Sequence, residues 1–153
     1  GGFLTAATDV ASIFLKKGSR IYSLDYQGDV SNYNDKTSEH KEYNIVVLIN
    51  ENTASAAEIL AAALKESYGA TIVGETSFGK GKVQQTMKLD DGSMVKYTSA
   101  LWLTPNGTCI DGTGIKPDYA ISNEEQKDEN GTIIGISDLQ LSKAIEILNG
   151  ITN

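Results

Sequence analysis

A serine and a lysine twenty-five residues apart are the side chains of this sequence best suited to chemistry. Ser55 stands at the start of an alanine-rich segment, and Lys80 lies between Gly79 and Gly81. A serine hydroxyl becomes a nucleophile when a base removes its proton, and an uncharged lysine amine can serve as that base. The amine stays uncharged near neutral pH only if it is buried or close to positive charge, and Phe78 with the apolar strand after it is expected to supply that burial. The pair predicts hydrolysis through a serine/lysine site.

The segments around Ser55 predict the structure that positions it. Residues 44–49 form a short apolar run typical of a buried strand, residues 54–67 have high helix propensity, and Thr71–Gly74 is a second apolar run. A strand, a helix and a strand within about thirty residues predict a βαβ unit with a right-handed crossover. The first helical turn then lies at the carboxyl edge of a parallel sheet, where its free N–H groups can stabilise an oxyanion beside Ser55.

Ser55 also has a purely structural interpretation. Together with Glu58, three residues on, it matches the capping box, in which a serine and a glutamate satisfy backbone N–H groups at a helix start. Thr53 competes for the same capping position. If Thr53 is the cap, Ser55 falls within the first helical turn and its hydroxyl is free to face a cleft.

The lysine loop has a structural interpretation too, as a solvated loop with glycines that permit unusual backbone angles and close approaches. A phosphate-binding loop is excluded, because Gly81 follows Lys80 where that motif requires serine or threonine.

Several motifs in one order resemble a known family, the carboxyl-terminal processing proteases, which are tail-specific serine peptidases of family S41 with a Ser/Lys dyad. The segment TASAAE at 53–58 is similar to the family's nucleophile motif, and GETSFGKGKVQ at 74–84 is similar to its lysine motif. The resemblance continues through YTSALWLTPNG at 97–107 and GTGIKPD at 112–118, and GGFL at 1–4 is similar to the end of an upstream motif.

The resemblance implies roles for individual residues. Ser55 would be the nucleophile and Lys80 the general base, with Gln84 supporting the lysine. The oxyanion would be held by the backbone N–H of Ala56 and by an N–H of the segment formed by Gly1 and Gly2.

The position of Gln84 adds a geometric condition. Four residues of extended strand span about 13 Å, so the chain must bend if Gln84 is to reach Lys80, and Gly79 and Gly81 make a bend feasible. The neighbouring Gln85 is expected to point away from the site, because successive strand residues face opposite sides.

The expected fold class is α/β, with a ClpP/crotonase-like layered core containing βαβ units, a β-hairpin and a C-terminal helix. An amphipathic helix is predicted from Leu4 to about Lys17, with Leu4, Ala7, Val10, Ala11, Phe14 and Leu15 as its apolar stripe. The other predicted elements are strands at 20–26 and 30–33, a hairpin of 86–89 with 93–104, a solvated loop at 123–131 and a final helix opened by Ser137. Leu139, Ala144, Ile145 and Leu148 are predicted to form the apolar stripe of that last helix.

Residues 1–153 are expected to form a single protease core domain, truncated at its N-terminus. The resemblance implies an intact protein with an anchor or export signal, an extracytoplasmic location, and a PDZ domain in cis that reads the C-terminal tails of protein substrates. It leaves a homo-oligomer open. The chain alone is expected to be weakly active or inactive, because half of the oxyanion hole lies at its first residues.

Composition excludes several function classes. The sequence has 13 basic and 20 acidic residues and a net charge of −7, which argues against nucleic-acid binding. The single cysteine, Cys109, cannot form an internal disulfide, and the single histidine, His40, in a polar segment gives a Ser-His-Asp triad poor prospects. No zinc-ligand spacing occurs, and no cofactor is expected.

Two alternatives remain open at this point. A non-catalytic module of the same architecture could bind hydrophobic ligands, and a crotonase-type acyl-CoA enzyme would use carboxylates and would not need Lys80. Two departures from the family's pattern are Tyr68-Gly69 before the second strand and Ala57 two residues after the nucleophile. They remove no catalytic atom but could alter substrate preference.

Overall fold

A computed structural model describes residues 1–38 and 40–151 of the chain. The helices are α1 Leu4–Phe14, α2 Ala56–Ala63, which continues as a π-helical turn over Leu64–Tyr68, and α3 Leu139–Ile151. The strands are β1 Arg20–Tyr26, β2 Asp29–Asn34, β3 Val46–Ile49, β4 Thr71–Gly74, β5 Lys82–Lys88, β6 Met94–Leu103, β7 Tyr119–Ala120, β8 Glu124–Lys127 and β9 Ile133–Ser137.

The predicted βαβ unit is present. Strands β3 and β4 are parallel and in register from Val46 opposite Thr71 to Ile49 opposite Gly74, with α2 as the crossover between them. Strand β7 adds to β4, also in parallel. The carboxyl ends of β3 and β4 therefore meet at the edge where α2 begins.

A second sheet is antiparallel, with strand order β2-β1-β6-β5. The tight turn between β1 and β2 has left-handed backbone at Gln27 and Gly28, with φ of 60° and 102°. Such a turn matches the right-handed twist of the strands that it joins. Both predicted hairpins, β1-β2 and β5-β6, are confirmed.

Helix α2 provides the packing between the two sheets. Its Ala61, Ala62 and Ala63 are almost fully buried in one cluster with Ile72 of the parallel sheet and Trp102 of the antiparallel sheet. Alanines let the helix approach β1 of the antiparallel sheet closely, and α3 packs against β3 and β4 of the parallel sheet. The expected layered α/β core is confirmed.

The prediction of a solvated loop at 123–131 is wrong, because this segment contains β8, which pairs with β9 as an antiparallel hairpin. Its side chains are exposed and Lys127 pairs with Glu125 at 2.9 Å. Charge alone cannot distinguish an exposed strand from a loop, since backbone pairing is compatible with solvated side chains.

The two outer helices differ in detail from the sequence prediction. Helix α3 is opened by Asp138, whose carboxylate accepts the N–H of Leu141 at 2.9 Å, while Ser137 ends β9. Exposed Leu139 and Ile145 lie outside the core that buries Ala144.

Helix α1 ends at Phe14, and its buried positions are the alanines 7 and 11. Leu4 and Val10 are exposed although the pattern predicted both on the buried stripe. In the part of the chain that the structure describes, no helix has the length and apolar character needed to cross a bilayer.

Candidate active site

A cavity of about 370 Å³ lies at the edge where α2 begins. Its lining includes Ser55, Lys80 and Gln84, together with Ala56 and Gly2. Five of the six residues singled out from the sequence thus line one cavity. The remaining lining residues are Leu4, Ile59, Lys82, Val83, Lys96 and Trp102.

Ser55 is the N-cap residue of α2 and has an unusual backbone conformation, with φ of 59° and ψ of −125°. A non-glycine residue with positive φ is strained, and such strain persists only where neighbouring contacts impose it. The capping box with Glu58 is present. The alternative in which Thr53 caps the helix is wrong, since its hydroxyl accepts the N–H of Asn50 at 3.1 Å and braces the turn before the helix.

Glu58 holds the site together. Its carboxylate is 0% exposed. Its Oε1 accepts the hydroxyl of Ser77 at 2.6 Å and the N–H of Gly79 at 2.7 Å. Its Oε2 accepts the N–H of Ser55 at 2.8 Å and the N–H of Lys80 at 2.9 Å. Four donors aimed at two oxygens require the acceptor-only, ionised carboxylate, so a buried negative charge ties the serine turn to the lysine loop.

The loop from Gly79 to Gly81 is tied at every backbone polar group. The two N–H groups just described bind Glu58, and the remaining four groups bind side chains and backbone of two other segments. The carbonyl of Gly79 accepts the N–H of Gly112 at 2.9 Å, and the N–H of Gly81 donates to Asp111 at 3.3 Å. Trp102 binds the other two groups. Its indole N–H donates to the carbonyl of Lys80 at 2.8 Å, and its backbone N–H donates to the carbonyl of Gly81 at 2.9 Å.

The two glycines beside Lys80 are required by close packing. A Cβ on Gly79, whose φ is 83°, would lie 2.8 Å from the backbone nitrogen of Gly114, and a Cβ on Gly81 would lie 2.7 Å from that of Asp111. Any larger residue would push the loop away from the segment beneath it. The glycines thus let the backbone carrying Lys80 lie directly against a neighbouring segment.

The side chain of Lys80, in contrast to its backbone, is exposed. Among the described residues, no hydrogen bond joins its amine to the hydroxyl of Ser55. The expectation that Phe78 would bury the amine is wrong, because that ring is itself 64% exposed. The backbone N–H of Phe78 is bonded to the carbonyl of Thr53 at 2.9 Å, which leaves its side chain outside the core.

Gln84 lines the cavity. Strand β5 begins at Lys82, and its pairing with β6 shifts register between Val83 and Gln84. Their partners are Ala100 and Thr98, so the extra residue, Ser99, lies in β6. Gln85 accepts the hydroxyl of Tyr97 at 2.9 Å and is absent from the cavity lining that the structure describes.

The first residues of the chain lie against the serine turn. Gly2 lines the cavity, and a Cβ on Gly1 would lie 3.5 Å from the carbonyl oxygen of Ala54. Ala56 is the first residue of α2, so its N–H belongs to the turn that has no carbonyl partner inside the helix. The residues predicted to supply the oxyanion hole therefore lie beside Ser55, and their role stays a prediction.

Sequence reasoning missed two groups of residues in this site. The capping-box match did point to Glu58, but nothing in the sequence indicated that its carboxylate also binds the lysine loop. Trp102 and the lysines 82 and 96 come from the β5-β6 hairpin, which the sequence did not place beside the serine.

The single histidine lies elsewhere. His40 lines a different cavity, of about 420 Å³, formed in part by residues that precede β3 and β4, and it contacts Glu42 at 3.4 Å. Ser67 of that cavity donates its hydroxyl to the carbonyl of Arg20, so it is not held by the histidine. The geometry there gives no support to a serine–histidine site.

The chain is a mixed α/β protein in which helix α2 packs with residues of both sheets. This layering is consistent with the ClpP/crotonase-like group. A family model described as "Peptidase family S41" matches residues 1–121. The chain belongs to the S41 peptidase family.

Relatives and solved structures agree with this assignment. The chain is 41% identical over 133 residues to a probable CtpA-like serine protease of Staphylococcus aureus strain N315. The aligned region covers 85% of the chain and 27% of that protein. A probable CtpA-like serine protease of Staphylococcus epidermidis is 38% identical over the same length. The chain thus spans about a quarter of the length of these relatives.

Among solved structures, a photosystem II D1 C-terminal processing protease aligns with a TM-score of 0.74 and 37% identity, covering 80% of the chain and 32% of that protein. A putative peptidase from Parabacteroides merdae aligns with a TM-score of 0.71 over 97% of the chain and 48% of that protein at 20% identity. The second match shows the fold alone.

Proposed function

We propose that the intact protein is a serine endopeptidase that cleaves protein substrates near their C-terminal tails, with Ser55 as nucleophile and Lys80 as general base. The observation that carries the proposal is the joint binding of both residues' N–H groups by one oxygen of Glu58 beside one cavity. The substrate class rests on the likeness to the D1 C-terminal processing protease.

The proposed reaction uses these groups in two stages. Uncharged Lys80 takes the proton of the Ser55 hydroxyl while Oγ attacks the carbonyl carbon of the scissile peptide bond. The N–H of Ala56 and an N–H of the Gly1-Gly2 segment hold the oxyanion that forms. When the tetrahedral intermediate collapses, the C–N bond breaks and the lysine protonates the leaving amine. Water then gives a proton to the same lysine and attacks the acyl carbon. The bond from that carbon to Oγ breaks, the lysine returns the proton to Oγ, and the acid product leaves.

The strained turn at Ser55 supports a nucleophilic role. Serine nucleophiles of other hydrolases occupy sharp strand-to-helix turns that expose the hydroxyl, and Ser55 has this placement between β3 and α2. A serine that only capped a helix would adopt the ordinary extended backbone of such caps. Gln84, which lines the same cavity, is proposed to orient the lysine amine.

The exposed amine of Lys80 supports the proposal that this chain alone is weakly active or inactive. A lysine in water stays charged near neutral pH and cannot take a proton. We propose that the bound substrate and other parts of the intact protein, including a PDZ domain in cis, exclude water from the cavity. An extracytoplasmic location is proposed on the basis of the family, and the oligomeric state stays open.

The cavity lining argues against both alternatives. Three of its residues are lysines, which would disfavour a wholly hydrophobic ligand. Its described lining contains no carboxylate, and Glu58 is already engaged by four donors, so no acid/base carboxylate of the crotonase kind is available there.

A fluorophosphonate, which reacts covalently with activated serines, tests the proposal in the intact protein. Mass spectrometry should locate the adduct on Ser55, and the variants Ser55→Ala and Lys80→Ala should each abolish labelling and peptide cleavage with unchanged circular dichroism. Exposed residues provide matched controls: Ser31→Ala and Lys88→Ala should retain wild-type labelling. Labelling or cleavage that survives in Lys80→Ala would refute the dyad, and absence of labelling in the wild type would favour the non-catalytic module.

A further inference from the structure

Trp102 is hydrogen-bonded to the loop that carries Lys80. This residue lies on β6, is 3% exposed and belongs to the hydrophobic core. Its indole N–H donates to the carbonyl of Lys80 at 2.8 Å, and its backbone N–H donates to the carbonyl of Gly81 at 2.9 Å. One residue therefore binds two successive peptide groups of the loop.

The bond from the indole substitutes for missing sheet pairing. Lys80 precedes β5, so its carbonyl has no partner in the strand ladder. Without the indole this carbonyl would lose its partner, and the peptide plane between Lys80 and Gly81 would be held only by the longer bond from the N–H of Gly81 to Asp111, at 3.3 Å. Because the lysine side chain emerges beside that plane, its direction depends on the bond.

Trp102 also lines the cavity, along with Ser55 and Gln84. The residue that binds the lysine backbone thus borders the space in which the lysine amine would meet the serine hydroxyl. Glu58 binds the N–H of Lys80 and Trp102 binds its carbonyl, so the residue is held from both sides.

We propose that Trp102 is a positioning residue for Lys80, acting through its indole N–H, and that it sets the approach of the amine to Ser55. The inference rests on the proposed function for its catalytic consequence. The fixing of the Lys80 peptide plane is a separate physical claim that can be measured without activity.

The test must separate the N–H from the ring, because Trp102 also fills the core. Trp102→Phe removes the donor together with part of the ring. A second variant replaces the tryptophan by β-(benzothiophen-3-yl)alanine, in which sulfur stands for the N–H and the shape is kept. Tyr68→Phe is the matched control, since it removes a hydroxyl that binds the backbone of Tyr43 at 2.7 Å beside the other cavity.

Two readouts on the intact protein decide the proposal. In steady-state cleavage of a fluorogenic peptide, the benzothiophene variant should lose about tenfold in kcat, with KM within about twofold of wild type. Amide exchange of Gly79, Lys80 and Gly81, followed by NMR, should become about tenfold faster in the same variant. Tyr68→Phe should leave both quantities at their wild-type values.

Trp102 is the only tryptophan among these 153 residues, and the resonance of its indole N–H in the intact protein is identified by comparison with the benzothiophene variant. This resonance should exchange slowly in the wild type and be absent from the benzothiophene variant. Wild-type kcat and unchanged loop exchange in that variant would overturn the proposal. If the wild-type protein itself neither cleaves peptides nor labels with a phosphonate, the proposed function fails, and the exchange data alone decide whether Trp102 fixes the loop.

Discussion

Ser55 and Lys80 are joined through a single atom, Oε2 of Glu58, which accepts the N–H of the first at 2.8 Å and that of the second at 2.9 Å. The two residues come from segments that are twenty-five positions apart in the chain. Because both bonds end on one buried oxygen, a shift of either segment disturbs the other. The spacing of the proposed dyad is thus set by its backbone rather than by a contact between the two side chains.

Glu58→Gln tests this arrangement. An amide has one acceptor oxygen, so its NH₂ group must face two of the four donors, and we expect a loss of about 3 kcal/mol or more in the free energy of unfolding. Urea denaturation of the variant measures this loss. Glu124→Gln, which changes an exposed carboxylate on β8, should stay within about 0.5 kcal/mol of wild type. An equally small effect at Glu58 would contradict the role assigned to its charge.

The second prediction concerns the close packing of the lysine loop. Gly81→Ala places a Cβ 2.7 Å from the backbone nitrogen of Asp111, and the overlap should cost about 1 to 3 kcal/mol in stability. It should also lower peptidase activity, because the displaced loop carries Lys80. Thermal unfolding and peptide cleavage measure the two effects.

Gly150→Ala is the matched control for the loop glycine. A Cβ at Gly150 meets nothing within 4 Å, and the residue lies in α3. Alanine has the higher helix propensity, so this change should leave the protein unchanged or stabilise it by up to about 1 kcal/mol. Similar melting temperatures for the two variants would contradict the packing argument.

The third prediction is a loss of stability at alkaline pH through Tyr22. Burial raises the pKa of its phenol from 10.0 to about 12, with a further contribution from Tyr33, whose ring stacks on it with centroids 4.5 Å apart. Between these two pH values the unfolded chain has lost the phenol proton while the folded protein retains it. Stability is therefore complete below about pH 10 and falls as pH rises to about 12.

Urea denaturation at several pH values in that window, for wild type and Tyr22→Phe, measures the contribution. The phenylalanine variant should show a shallower decline, because it has no phenol to ionise at that position. Tyr97→Phe, which changes a more exposed tyrosine, should decline as steeply as wild type. Identical slopes for wild type and Tyr22→Phe would rule out a raised pKa at Tyr22.

The fourth prediction concerns the charge of the cavity. Lys80, Lys82 and Lys96 line it, in a chain with a net charge of −7. Lys82 is paired with Asp111 at 3.2 Å, so the prediction uses Lys96. If the proposed peptidase function holds, peptides with acidic residues near the scissile bond should bind better than neutral ones. Lys96→Glu should raise KM for an acidic peptide about threefold, with a weaker effect at high salt.

Lys88→Glu is the control for that charge reversal. Lys96 pairs with Thr86, and Lys88 lies two residues after Thr86 on β5, so Lys88 and Lys96 are on the same face of the β5-β6 hairpin. Lys88 does not line the cavity. It should leave KM almost unchanged. An equal rise in KM for both variants would indicate a general effect of net charge.

Local patterns in the sequence were enough to predict much of the fold. The β3-α2-β4 unit and the hairpins follow from apolar periodicity and turn residues, which act between neighbours in the chain. The same kind of signal located Ser55 at the carboxyl edge and predicted that Gln85 points away from the site, whereas Gln84 was singled out by the family resemblance. The loop prediction at 123–131 was wrong, because β8 is defined by backbone pairing with β9. The side chains of β8 are exposed and polar, so their types do not indicate that pairing.

Only the tertiary structure decided how the site is held. The sequence predicts only a helix-capping role for Glu58. In the structure, two of its four hydrogen bonds come from the N–H groups of Gly79 and Lys80, more than twenty residues away. Trp102 and Lys96 reach the cavity because β6 pairs with β5 across the second sheet. The exposure of the Lys80 amine was equally beyond the sequence, since burial depends on which distant segments cover a side chain. Residue types and short-range spacing determine what chemistry is available, whereas long-range packing determines which groups meet and how much water reaches them.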